Sequence, residues 1–388
     1  MKAIIIGAGI AGLAAARALN RAGWEIAIYE RARGPRPSGY MIDFFGPGYD
    51  AADALGILPI LKRKAHKIDA AHFVDASGRD RSMLRYDLAT RAAGGKILSL
   101  LRGDIESTLL DDLPAGISLN YGSTIAKIDN GADGVAVRLA DGSTAGADLL
   151  VGADGIHSAV RQQVFGPESA FVKPLGYHTA AYVFHDEAVS RAVGSGMRLL
   201  TVPNRFVGLY AIGEGQLATF FVHRAAATEL PVDPRSALRE AYGDLGWLVP
   251  ATLAAAPDPH DIYYDVVAQT EMPHWHRDRV VLIGDAAYAV SLLAGQGASL
   301  AVAGAAALGD VLAKGNIEAG LVRLETSLQP LVLEKQRAGR RTANWFVPPT
   351  WAHVAFRNLV LNSLNNPLLV GLLGRFVSTS SKGFSLAG

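Results

Sequence analysis

"MKAIIIGAGIAGLAAARAL", residues 1–19, opens the chain. A short apolar run leads into Gly7, Gly9 and Gly12 at G-x-G-x-x-G spacing, and an alanine-rich stretch follows without a break. The spacing predicts a buried strand over 2–6, a tight turn, and a helix over 10–21 ended near Gly23. A second strand is expected over 25–29, with Glu30 at its end. In that order each glycine has a physical task. The first permits the turn, the second lets backbone approach a pyrophosphate, and the third lets helix and strand pack closely. The helix N-terminus then offers free N–H groups to phosphates, with Gly7, Gly9, Ala11 and Gly12 as candidate contacts. Glu30 stands where an acid takes ribose hydroxyls. A secretory leader competes for the same apolar run, but the fixed glycine spacing and Arg17 inside it favour the nucleotide turn. The motif serves NAD and FAD alike, so the rest of the chain must discriminate.

The 388 residues, half of them hydrophobic, suffice for a large core in two interleaved domains or one large α/β unit. Lys plus Arg number 37 against 36 Asp plus Glu, with no long charge run, which argues against a nucleic-acid partner. The absence of cysteine excludes disulfides, thiolate metal sites and thiol nucleophiles. The ten histidines are scattered, and no metal is expected. Residues 358–377 are apolar in patches, but four asparagines, Pro367 and Arg375 make them a poor membrane span. A bent helix packed across the domains is expected there. A cytoplasmic monomer or homodimer is the general expectation.

Further along, helices are expected over 49–61 and 99–113. Two strands should surround Asn130-Gly131, a hairpin turn should fall at Asp141-Gly142, and a buried strand should follow over 147–153. From about 174 to 270 the character changes. "YHTAAYVF", "MRLLTVP", "FVGLYAI" and "LATFFVH" predict an antiparallel sheet, with a helix inserted over 234–242. The α/β pattern returns at Arg279, with a strand "RVVLI" running into "GDAAYAVSLLAGQGASLAVAGAAAL" over 284–308. A nucleotide-type domain is thus interrupted by a β-rich one. Its expected bounds are 1–170 and 275–340, with 171–274 as the β-sheet domain and 341–388 as a C-terminal helical segment.

Four separated stretches together resemble one family: "GAGIAGLAAARAL…YE" (7–30), "LLRGDIESTLL" (100–110), "LLVGADGIHSAVR" (149–161) and "RVVLIGDAAYAVSLLAGQGASLAVAGAAAL" (279–308). They are similar to the FAD-dependent monooxygenases of the p-hydroxybenzoate hydroxylase type, over nearly the whole chain. The resemblance implies an α/β fold with a Rossmann-type FAD-binding domain interrupted by an antiparallel β-sheet substrate domain. It implies FAD held at both ends. Arg102 would meet its phosphate and ribose, Arg31 and Arg36 would be extra phosphate partners, and Ile125 would be a further contact. Asp285, after Gly284, would bind the ribityl chain. Gly295, Gly297 and Ala298 would bring backbone and a helix N-terminus to the flavin ring, where the dipole favours an anionic reduced flavin. Asp154 would serve a mixed structural and cofactor role, with a weaker claim for Arg161. Residues 39–57, "GYMIDFFGPGYDAADALGI", look most like the tetracycline destructases, and Asp43 matches an acid near the reactive flavin edge. A carboxylate on an apolar strand is costly to bury without a task or a firm hydrogen bond.

The implied chemistry is hydride transfer from NADPH or NADH to FAD, reaction with O2 to a C4a-hydroperoxide, and hydroxylation of an aromatic or polycyclic small molecule. Tyr182, Met197, Tyr210, Phe220 and His223 lie on strands expected to face the flavin, and Tyr210 and His223 are the candidate substrate contacts. Two residues depart from the family pattern: Leu292 stands where proline is usual, and Tyr288 where histidine is often found. Leu292 is expected to help cover the ring or the substrate. Proline's absence leaves a second possibility open, a flavoprotein of this fold acting as a reductase or cyclase. A non-catalytic flavin-binding protein is a third.

Overall fold

The computed structural model describes residues 1–35, 40–313 and 315–364. Arg36 and the expected helix beyond residue 364 lie outside the described residues.

Strand Lys2–Ile6 sits inside a six-stranded sheet, parallel to Glu25–Tyr29 on one side and Leu149–Gly152 on the other. Ser118–Asn120 extends the first side, and Val280–Leu282 pairs in parallel with Leu149–Gly152 on the other. The chain that leaves this sheet after residue 152 therefore returns at 280 to complete it. Helix Ile10–Arg21 has the bounds its pattern predicts. It packs against helix Gly297–Leu312 so closely that a Cβ on Gly309 would stand 2.8 Å from the Ala18 methyl.

The second sheet has eight strands. Tyr263–Thr270, Val172–Ala181, Gln216–Arg224, Arg205–Gly213 and Met197–Val202 form its antiparallel body. Its far edge departs from expectation. Ala70–Val74 pairs in parallel with Met197–Val202, and Asp80–Arg85 follows. Residues 70–85 thus join the β-rich sheet although they fall inside the segment assigned by sequence to the nucleotide domain. Two other expectations change. Residues 97–101 form a strand against Met41–Phe45 before helix Arg102–Asp111 begins, because "ILSLL" finds a partner strand that local pattern cannot reveal. Residues 47–64 form two helices, Pro47–Ala54 and Leu58–Lys64, split at Gly56 with φ of 78°.

The alternation of the large sheet separates two faces. Tyr182, Leu200, Val207, Leu209 and Phe221 pack on one face with Leu238 and Tyr242 of helix Pro234–Tyr242. Met197, Leu199, Phe206, Tyr210 and Val222 pack on the other with Leu293 and Ala343. The second face therefore meets the glycine loop near residue 295. The 30-residue helix Ile317–Phe346 spans that junction. No described helix is long and apolar enough to cross a membrane.

Candidate cofactor and substrate site

The glycines of the first loop divide into two kinds. Gly7 and Gly12 are packing positions. A Cβ on Gly7 would come 2.4 Å from the Ala153 carbonyl oxygen, and one on Gly12 would come 1.9 Å from that of Gly7. Gly9 instead faces open space, with only the Arg102 guanidinium within reach, at 3.8 Å. That opening, at a helix start with no side-chain cap, is the cradle a pyrophosphate requires. Glu30 accepts the Ala8 amide at 2.8 Å and the Ala32 amide at 2.7 Å, which fixes the loop and leaves lone pairs for ribose hydroxyls. The Ser123 amide donates to the Glu30 carbonyl, so the turn leading to Ile125 forms the wall beside this acid. Arg31 is exposed and without an ion pair among the described residues.

The second motif converges on the first. Gly284, at φ of 61°, lies so near helix Ile10–Arg21 that a Cβ there would stand 2.7 Å from the Ala11 methyl. Asp285 follows at the start of a short helix, and its Oδ1 lies 3.8 Å from where a Gly297 Cβ would be. Its carboxylate makes no hydrogen bond among the described residues. The side chain is open to solvent although protein surrounds it on most sides, which places it on the wall of a deep cleft. Crowding raises its carboxyl above the usual range, while Arg102 across the cleft pulls it down. Gly295 faces open space too, at φ of 63°. The placement of Arg102, Asp285 and the two open glycines, Gly9 and Gly295, fits an extended dinucleotide. In this fold FAD would lie with its phosphates at Gly9 and Arg102 and its ribityl chain at Asp285.

Asp154 supports the start of the next helix, whose N-cap is Ser158. It accepts from the Ser158 hydroxyl at 2.5 Å and the Val160 amide at 3.1 Å, starting helix Ala159–Val164. Arg161 is fully buried, with Nη1 donating to the Ala286 carbonyl at 3.0 Å and Nη2 to that of Ile156 at 2.5 Å. It staples the Asp-Gly turn to the helix behind Asp285, a positioning role that its place in the motif did not reveal. His157, in the same turn, stands between Glu168 at 3.1 Å and Asp265 of the large sheet at 3.4 Å. The bond to Asp265, aided by Glu168, lifts it from 6.5 to about 9 against the opposing effect of burial. A histidine raised in this way stabilises the fold fully below pH 6.5 and loses that contribution as pH rises through about 9. His157→Gln should therefore lower the melting temperature at pH 6 and leave it unchanged above about pH 9.5, by no more than about 1 kcal/mol at this exposed pair. Melting curves of both forms at the two pH values test this.

The loop over 289–296 is clamped from outside. Gln336 Nε2 donates to the carbonyls of Thr270 at 2.7 Å and Ala289 at 3.2 Å. Gln269 Nε2 donates to Val290 at 2.9 Å, and Arg340 holds the Gln269 amide oxygen at 2.6 Å. None of these three polar residues was singled out in the sequence, because they meet only through folding. Inside the loop, Leu293 packs into the apolar face of the large sheet, while Leu292 stays half-buried at the head of the turn.

On that sheet face, Tyr210, Met197 and Phe220 stand as expected. His223 and Tyr182 do not. They alternate onto the opposite face, where Tyr182 donates to the Thr252 carbonyl at 2.7 Å and His223 pairs with the Tyr242 hydroxyl at 3.2 Å. Burial, with His178 and Arg205 nearby, depresses His223 to about 4. A one-residue change of phase separates the two faces, so strand pattern alone could not choose between them. Asp43 sits on strand Met41–Phe45, held by Ser99 at 2.8 Å and by the Tyr86 hydroxyl. The Phe45 amide donates to the Ser299 hydroxyl at 3.3 Å, so this strand passes the start of helix Gly297–Leu312.

Comparison with known proteins agrees with this geometry. The family model described as "FAD binding domain" matches residues 1–326. A flavin-dependent monooxygenase of Legionella longbeachae is 28% identical over 348 residues, covering 87% of this chain and 88% of that protein. Among solved structures, the tetracycline destructase Tet(51) superposes with a TM-score of 0.84 at 26% identity, covering 100% of this chain and 99% of that one. Klebsiella pneumoniae HpxO, solved with FAD and uric acid, does so with a TM-score of 0.82 at 25% identity, covering 98% and 97%. With the cleft, the motifs and these likenesses in accord, the chain belongs to the FAD-binding-domain family of flavin-dependent monooxygenases, and is an FAD-dependent oxidoreductase.

Proposed function

We propose that this protein is an NAD(P)H- and O2-dependent hydroxylase of an apolar aromatic or polycyclic small molecule. One observation carries the reading: the glycine loop at Gly295 and Gly297 adjoins the apolar sheet face of Met197, Phe206 and Tyr210 through Leu293. FAD, when bound, would supply the redox chemistry between reduced nicotinamide and oxygen. The chain's own residues do the rest. Asp285, Arg102, Glu30 and the open glycines hold the cofactor. The Gln269–Gln336–Arg340 clamp fixes the loop beside the ring. The apolar face excludes water from the reacting edge. Tetracyclines, named for one structural neighbour, illustrate a polycyclic molecule of suitable bulk. The test is direct. The purified protein should be yellow, should oxidise NADPH or NADH with matching oxygen uptake, and should yield a product heavier by one oxygen atom from an apolar phenol. Nicotinamide oxidation without oxygen uptake would favour a reductase.

Leu292 gives a second reading its footing, since an altered loop could change oxygen chemistry without loss of FAD. Proline at this position would remove no backbone hydrogen bond, because the Leu292 amide donates none among the described residues, although Ser291 before it combines ψ of 138° with a φ of 81°, outside the range usual before proline. Leu292→Pro should therefore keep FAD bound and change the ratio of hydroxylated product to hydrogen peroxide by about twofold or more, as water access to the ring edge changes. Equal ratios in both forms would show that position 292 does not bear on oxygen reactivity.

A further inference from the structure

The Asp43 cluster is built in an unusual way for a site in an apolar wall. Asp43 and Ser99 are register partners on facing strands. The Ser99 hydroxyl donates to Oδ1 at 2.8 Å, the Tyr86 hydroxyl donates to the same oxygen, and the two hydroxyls lie 2.7 Å apart. Oδ2 has no hydrogen-bond partner, and no Lys or Arg pairs with this carboxylate, among the described residues. Asp43 lies on the same side of its strand as Met41, which packs into the apolar cluster of the large sheet. From that sheet Tyr210 approaches. Its phenol is pushed upward by burial and by the Asp43 charge, and its hydroxyl makes no hydrogen bond among the described residues.

Burying a carboxylate without a cation is costly. Here the fold commits one oxygen twice and leaves the other uncommitted, on the side of the strand whose Met41 packs into the cluster that holds Tyr210. Burial raises the Asp43 carboxyl to about 6, with the Ser99 bond opposing the rise, so the group is mostly ionised at neutral pH. An ionised acceptor inside an apolar pocket attracts a donor. It repels an anion, since like charges in one site cannot both ionise cheaply.

We propose that Asp43 selects the substrate: its free Oδ2 accepts a hydrogen bond from a hydroxyl or N–H of a neutral, otherwise apolar aromatic molecule, with the Tyr210 hydroxyl as second polar contact. Tyr86 and Ser99 are positioning residues that orient the carboxylate. Aromatic carboxylates are disfavoured. This inference rests on the monooxygenase reading only for where the flavin lies.

Calorimetric binding of naphthol, its methyl ether methoxynaphthalene, and naphthoate to the FAD-loaded protein tests it without turnover. The unmodified protein should bind naphthol about tenfold or more tightly than the ether, as expected for a hydrogen bond to a charged group, and naphthoate most weakly. Asp43→Asn should shrink the naphthol preference to about threefold or less and relieve the exclusion of naphthoate. Naphthol affinity should fall as pH drops through about 6, and should be flat in Asp43→Asn. The other groups facing the carboxylate are Tyr86, Ser99 and Tyr210, none of which titrates in that range. His66, whose amide bonds the Ser99 carbonyl, is paired with Asp104 at 3.8 Å and remains in the variant. Tyr86→Phe leaves the carboxylate in place. It should weaken naphthol binding and move the acid limb upward while leaving ether binding unchanged, which keeps the test open if Asp43→Asn does not fold. No binding of naphthol, equal affinity for naphthol and its ether, or an unchanged preference in Asp43→Asn would overturn the proposal. Oxygen uptake is scored separately: its absence with the naphthol preference intact overturns the monooxygenase reading alone.

Discussion

Asp285→Ala is expected to raise the FAD dissociation constant by about 10- to 100-fold, the effect of removing a charged acceptor worth about 1–3 kcal/mol from an enclosed site. The same change should leave the melting temperature of the FAD-free protein unchanged or slightly higher. The Asp285 carboxylate makes no hydrogen bond among the described residues, and crowding by protein and the nearby Asp265 raises its carboxyl, so its ionised form contributes nothing to the bare fold. Glu30→Ala should behave differently. Glu30 ties the Ala8 and Ala32 amides together, so its loss should lower the stability of FAD-free and FAD-loaded protein alike, by about 1–3 kcal/mol for the orphaned amides. Dialysis against FAD-free buffer, with melting curves before and after, separates an acid kept for a ligand from one that also holds the loop. A drop in the stability of FAD-free Asp285→Ala equal to that of Glu30→Ala would mean that Asp285 is structural.

What could be read from the sequence follows a physical line. Helix Ile10–Arg21, strand Glu25–Tyr29 and helix Pro234–Tyr242 were legible to the residue because local pattern and local structure coincide there. The cofactor cleft was legible because its parts lie in short motifs whose glycines have one structural solution. Elements made by distant pairing were not. Strand Ile97–Leu101 exists because Met41–Phe45 lies against it, and Asp80–Arg85 is polar enough to pass for a loop. The substrate face was half legible. Tyr210 and His223 lie on neighbouring strands with similar patterns, and only the register Arg205↔His223 and Tyr210↔Ala218 fixes which side each side chain takes. The clamp of Gln269, Gln336 and Arg340 left no local signal, since each is an ordinary polar residue on its own element.

Tyr288, where the resemblance led one to expect histidine, is explained by a glycine sixteen positions on. The Tyr288 ring is buried, its centroid 4.6 Å from that of Trp275, and its hydroxyl points at Gly304 of helix Gly297–Leu312. A Cβ on Gly304 would stand 1.9 Å from that hydroxyl and 3.1 Å from the ring carbon that bears it. The tyrosine therefore occupies a notch that only glycine leaves. Gly304→Ala should destabilise the fold by about 3 kcal/mol, the upper part of the range for overpacking, despite alanine's better helix propensity. The hydroxyl itself is buried and makes no well-formed hydrogen bond among the described residues, with only the Gly284 backbone beside it, so Tyr288→Phe should be neutral or stabilising by about 1 kcal/mol. The two changes should not add. With phenylalanine at 288 the closest approach opens from 1.9 to 3.1 Å, a tight contact that a ring shift of a few tenths of an ångström relieves, and Gly304→Ala should then recover most of its cost. Denaturant unfolding of the two single variants and the double variant measures this coupling. An additive result would mean that the notch does not serve Tyr288. The expected coupling, with FAD binding retained in Tyr288→Phe, would place this departure from the family pattern in the packing of the core and not in the chemistry of the flavin.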